Sequence, residues 1–149
     1  MKTVCAANHC TGCKACETIC PVKAINIVDS IEAFNAEINT EKCINCKLCE
    51  KVCPNLNIRE LTYPIFWKQG WAEKEYRSSS SSGGAAAAIT KSFIQSGGYV
   101  ASCLFKEGRF IFDTTNDLEK ARLFSGSKYV KSDPGSIYGE IQKLINQGN

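Results

Sequence analysis

The sequence predicts an α+β chain in two parts, a small module over residues 1–62 and an α/β segment over residues 63–149. Three observations predict it. Eight of the ten cysteines, all before residue 54, form two copies of one spacing. Short alternating runs, Ile25/Ile27 and Phe34/Ala36/Ile38, read as a hairpin closed over residues 29–33. Beyond residue 84, helical and extended runs alternate, with glycines at the breaks between them.

The cysteines organise the first part. One copy is Cys10, Cys13, Cys16 and Cys20 followed by Pro21; the other is Cys43, Cys46, Cys49 and Cys53 followed by Pro54. Each member of the second copy stands 33 positions after its counterpart, and Glu17/Glu50 and Ile25/Ile58 keep that offset. The repeat is internal, and eight cysteines in one register do not arise by chance. Three cysteines at two-residue gaps sit on a tight loop whose thiolates can converge on one face of a cluster. Residues 15–20 then read as a short helix that sets Cys20 about 6 Å, one turn, beyond Cys16. From there its sulfur points away from the first three, so each fourth cysteine serves the other site, and Pro21 and Pro54 stop the helices. Cluster I would be held by Cys10, Cys13, Cys16 and Cys53, and cluster II by Cys43, Cys46, Cys49 and Cys20. Zinc more commonly takes paired hooks separated by a long stretch. Over roughly residues 1–60 the chain resembles the bacterial two-[4Fe-4S] ferredoxins.

Around these ligands, Ile19, Val22, Ile25, Ile27, Ile44, Leu48, Val52 and Ile58 are expected to wall the clusters from water. Cys5, in an edge strand, and Cys103, in the apolar run 99–105, read as packed small hydrophobes. His9 reads as a solvated loop residue.

Charge and hydropathy remove other classes. No apolar run approaches the roughly 18 residues of a membrane span. The first residues lack the apolar core of a secretory signal. The expected location is the cytoplasm, where such thiols point to metal rather than disulfides. The formal charge is +3. Residues 1–62 hold seven basic and seven acidic side chains, and residues 63–149 eleven and eight. Two clusters at about −2 each, thiolates included, would bring the whole chain near −1, so its basic surplus gives no argument for nucleic acid.

In the second part, aromatics from Tyr63 to Tyr76 are expected to pack a strand against the first module. The run Ser78, Ser79, Ser80, Ser81, Ser82, Gly83, Gly84 then opens a helix over residues 85–95, with Ile89, Phe93 and Ile94 on one side and Gly97–Gly98 as its stop. Such a loop is either a flexible linker or an anion site built from free N–H groups and hydroxyls. A hairpin over 99–105 and 109–113 follows, then a short helix over 117–122. A last helix reaches about Gln147, with Asp133 as N-cap, Pro134 first, and Ile137, Ile141, Leu144 and Ile145 as its apolar face. Read alone, Lys128 and Lys131 are solvated charges.

The order of these segments, a two-cluster module, Arg77 with the Ser/Gly run, a Gly-Gly-Tyr-Val strand, then Gly126-Ser127-Lys128-Tyr129, resembles the coenzyme F(420) hydrogenase/dehydrogenase β-subunit family. The resemblance implies a flavin-type second domain and FAD, with Arg77, Ser81, Ser82, Gly83, Gly84, Lys128 and Tyr129 at the cofactor. It implies single electrons relayed through two [4Fe-4S] clusters to or from a flavin, in this chain or in a redox partner protein. Members of that family continue past the last helix, so the expected flavin-type domain is partial and FAD belongs to a longer form. An FAD-dependent oxidoreductase fragment and a non-redox scaffold stabilised by clusters are the alternative functions; neither a nucleic acid nor a membrane is an expected partner.

Overall fold

The computed structural model describes residues 2–148; Met1 and Asn149, the ends of the two expected domains, lie outside the described residues. The chain separates into two compact units, Met1–Tyr63 and Pro64–Asn149.

In the first unit a helix α1 (Ala15–Ile19) leads into strands β1 (Ile25–Asp29) and β2 (Phe34–Ile38), and a second helix α2 (Leu48–Val52) follows. β1 and β2 pair antiparallel with Ile25 opposite Ile38 and Ile27 opposite Ala36, the hairpin expected from the alternation. The N-terminal residues run beside β2, where Val4 N–H donates to Ala36 O at 2.9 Å and Ile38 N–H to Lys2 O at 2.8 Å. That pairing carries Cys5 into the core. The core consists of Val4, Cys5, Cys16, Ile25, Ala36 and Cys53, half of them thiols.

The second unit begins without the expected strand. Between Ile58 and Trp71 the described residues form no ladder, and Leu61, Tyr63, Ile65 and Trp67 are exposed. Pro64 lacks an N–H to donate, which counts against a strand there. A short helix α3 (Lys74–Arg77) precedes the Ser/Gly run, and helix α4 (Ala85–Gln95) follows it. Gly97, at φ +91°, donates to Ile94 O, and Gly98 donates to Phe93 O. This paired closure needs a left-handed residue after the helix, which glycine adopts without strain. Of the expected apolar side of α4 only Ile94 is buried; Ile89 and Phe93 are exposed.

Strands β3 (Val100–Lys106) and β4 (Arg109–Thr115) form a second antiparallel hairpin. Its two-residue turn, Glu107 and Gly108, has both φ angles positive, which matches the twist of the strands it joins. Asp117 caps α5 (Leu118–Ala121), its carboxylate accepting from the N–H groups of Glu119 and Lys120. The last helix, α6 (Ile137–Asn146), starts later than expected. Asp133 is not its cap: its carboxylate accepts from Gly135 N–H, and its own N–H is spent on Phe110 O of β4. Ser136 takes the cap position, Ile137 is buried, and Ile145 is exposed. No helix among the described residues is long and apolar enough to cross a membrane.

Candidate metal centre

The repeat seen in the cysteines also holds in the backbone. Gly12 and Lys14 have φ angles of 71° and 58°; Asn45 and Lys47, 33 positions on, have 55° and 60°. Left-handed residues on either side of a cysteine curl each loop tightly, and loops curled this way turn their N–H groups toward an anion. Gly12 N–H donates to Cys10 Sγ at 3.4 Å. A Cβ at position 12 would come within 2.6 Å of the Phe34 ring, so the first loop also needs glycine for space. In the second loop asparagine supplies the same backbone, one of the few other residues that tolerates it.

The helices that follow are alike. Lys14 and Lys47 precede α1 and α2, and Cys20 and Cys53 leave them extended, at φ/ψ of −69°/111° and −75°/118°. The prolines after them disfavour a helical backbone at the preceding residue, so the fourth cysteine of each motif swings off its helix. α1 and α2 pack on each other. Cys10, Cys13, Cys16 and Cys53 line one recess, which brings the fourth cysteine of the second motif to the three of the first. Of the remaining cysteines, Cys43 lies near Cys49, and Cys20 Sγ accepts from Ala24 N–H at 3.2 Å.

The chemistry of the recess suits a cationic, thiophilic group. Burial first, and then the neighbouring sulfurs of Cys13 and Cys10, push the Cys16 thiol up to about 12. A thiol so disfavoured as a free anion becomes a stable thiolate once iron sits beside it and displaces its proton. A single tetrahedral ion about 2.3 Å from each sulfur needs sulfurs about 3.8 Å apart. Among the described residues no three His, Cys, Asp or Glu are placed to hold one metal ion. The four thiols that line the recess are soft donors of the type an iron–sulfur group takes.

The two sets differ in exposure. Cys16 and Cys53 are buried and Cys10 and Cys13 intermediate, whereas Cys46 is exposed and Cys20, Cys43 and Cys49 are intermediate. The expected apolar wall divides the same way: Ile25 is buried, Ile27 and Leu48 are half-buried, and Ile19, Val22, Ile44, Val52 and Ile58 are exposed. Solvent access governs how readily a cluster is attacked. A chelator added anaerobically should therefore strip cluster II several-fold faster than cluster I, followed as two phases of visible bleaching. A single phase would contradict the difference in exposure.

Three residues beside the ligands carry no signal in the spacing. Asn55 Nδ2 donates to His9 O at 2.6 Å and lies 3.9 Å from Cys5 Sγ, tying the segment after Cys53 to the first loop. Asn57 Nδ2 donates to the carbonyls of Glu50, Lys51 and Cys53, closing α2. Cys5 joins the recess of the first set. The one available hint was that Val22, Ala24 and Ile38 stand at the equivalent places of the repeat, so these positions break it. His9 is exposed, as expected.

The residues expected at a flavin all lie in the second unit. Ser81 Oγ accepts from Ser127 N–H at 2.8 Å, which joins the Ser/Gly run to the Gly126–Tyr129 segment. Gly84, at φ +76°, precedes α4, and a Cβ there would press on Ala72 and on the backbone of Tyr76 and Arg77 at 3.2 Å. Lys128 Nζ donates to the carbonyls of Phe124 and Ser125 at 2.8 and 2.7 Å. Gly83 is half-buried, and Arg77, Ser81, Ser82 and Tyr129 are exposed. Cys103 is half-buried and its thiol donates to Ser132 Oγ at 3.2 Å.

Against known families, residues 9–56 match the 4Fe-4S dicluster domain. No curated protein matches the chain significantly. The first unit therefore contains an iron–sulfur, ferredoxin-like module with an electron-transfer role, in a chain of mixed α and β structure.

Proposed function

We propose that the chain relays single electrons through two [4Fe-4S] clusters, cluster I on Cys10, Cys13, Cys16 and Cys53 and cluster II on Cys43, Cys46, Cys49 and Cys20, to or from a flavin in an oxidoreductase. The observation that carries this reading is the recess shared by Cys53 and the first three cysteines, which supports exchange of the fourth ligands between motifs. When bound, the clusters supply reversible one-electron chemistry. The chain's residues hold them, donate N–H bonds to their sulfurs at Gly12 and Ala24, and limit water more strongly around cluster I than around cluster II. The exposed side at Cys46 is the natural port for a redox partner. An anaerobic redox titration tests the relay against a scaffold: two one-electron steps at potentials a ferredoxin partner can reach support it, and clusters inert to dithionite refute it.

The bond from Ser127 N–H to Ser81 Oγ favours a second, additional reading, that residues 63–149 are a partial flavin-type domain of the coenzyme F(420) hydrogenase/dehydrogenase β-subunit kind. Flavin affinity depends on burying most of the ligand. Here Tyr129 is 92% exposed and the Lys128 ammonium is engaged by two carbonyls. Purified protein should accordingly hold far less than one FAD per chain, measured by fluorescence after denaturation. Residual binding that Gly84→Val weakens supports the flavin-type domain; binding indifferent to Gly84→Val and Ser81→Ala sinks it. Stoichiometric FAD would make a flavin-dependent oxidoreductase the better account.

A further inference from the structure

We infer that Cys5 is a reserve ligand of cluster I, a fifth sulfur able to take the place of Cys53; the inference rests on the cluster reading above. The recess lined by Cys10, Cys13, Cys16 and Cys53 is lined by Cys5 as well. Cys5 is 7% exposed and belongs to the same buried core as Cys16 and Cys53. Its backbone is fixed beside β2 by the Val4 N–H bond to Ala36 O, and its sulfur neighbours Cys53 and Asn55 Nδ2. A packed thiol in a dry core is an ordinary small hydrophobe. A packed thiol that lines one recess with four others is also a soft ligand placed for iron.

The repeat supplies an internal control. The position 33 residues after Cys5 is Ile38, so the half that carries cluster II has no sulfur at that place. The exchange is simple in its chemistry. The bond from iron to the Cys53 sulfur breaks and that sulfur takes up a proton, the Cys5 thiol gives its proton to solvent, and its sulfur forms the new bond to iron; no electron moves.

Iron content and EPR of the dithionite-reduced full chain test it, with the cluster II signal reporting that the module is folded. Cys53→Ala should keep close to the wild-type iron with an altered cluster I signal. Cys53→Ala with Cys5→Ala should lose about half the iron, and Cys20→Ala should lose about half on its own. Cys53→Val, a non-ligating side chain of similar volume, repeats the comparison with the core filled should Cys53→Ala not fold. If Cys53→Ala or Cys53→Val alone loses as much iron as the double variant, the reserve role is overturned while the cluster reading stands. If the double variant keeps all its iron and an unaltered cluster I signal, Cys53 is no ligand, and both fall together.

Discussion

Purified without oxygen, the chain is expected to carry about eight irons and eight sulfides, and to lose the fold of its first unit when they are stripped. The stoichiometry comes from eight thiolates in two equivalent sets. The loss of fold comes from the core. Its buried residues are Val4, Cys5, Cys16, Ile25, Ala36 and Cys53, and among the described residues no large side chain is fully buried. A unit of about 60 residues is marginal even with a full aliphatic core. Here thiols occupy the centre, so the iron–sulfur bonds must provide the cohesion that apolar burial provides elsewhere. Removing the clusters with acid or chelator should abolish the protection of Val4 and Ile38 amides against hydrogen exchange, while the β3–β4 amides of the second unit change little. One or two zinc ions per chain, or a first unit that keeps its protection without iron, would refute the cluster reading or the dependence of the fold on it.

The features legible in the sequence were those set by local chemistry. Pro21 and Pro54 end helices because they must, Gly97 and Gly98 close α4, and the second hairpin follows from its two extended runs, although Lys106 belongs to β3 and its turn is two residues rather than the three of 106–108. The alternation of Phe34, Ala36 and Ile38 gave the first hairpin its register. The misplaced features depended on partners distant in sequence. Asp133 is as good a cap as any aspartate by type, but its N–H bond to Phe110 O fixes it beside β4, and its carboxylate accepts from Gly135 N–H ahead of the helix. Ile89 and Phe93 satisfy helical periodicity, but periodicity does not say which face meets the rest of the fold. The aromatics before α3 suit a strand by composition, yet a strand needs an edge to pair with. Cys5 is the instructive case at the site: its residue type was correctly read as buried, and only the fold shows that the place of burial is the recess of the first cysteine set.

Crossed ligation is the assignment with the sharpest consequence, because it ties each fourth cysteine to the motif it does not belong to. Cys13→Ala and Cys46→Ala first identify the two EPR signals, since each sits within a three-cysteine loop. Cys20→Ala should then reproduce the Cys46→Ala spectrum, with the cluster II signal gone and the cluster I signal intact. The reason lies in the backbone: Cys20 leaves α1 extended ahead of Pro21, as Cys53 leaves α2 ahead of Pro54, and Cys53 is found in the recess of the first motif. By the repeat that relates the two motifs, the same geometry is expected to bring Cys20 to the second. With Cys5 also replaced, Cys53→Ala should match Cys13→Ala. Iron per chain should fall by about half in each case. If Cys20→Ala instead copied Cys13→Ala, each motif would hold its own cluster, and the recess shared by Cys53 with Cys10, Cys13 and Cys16 would be packing without ligation.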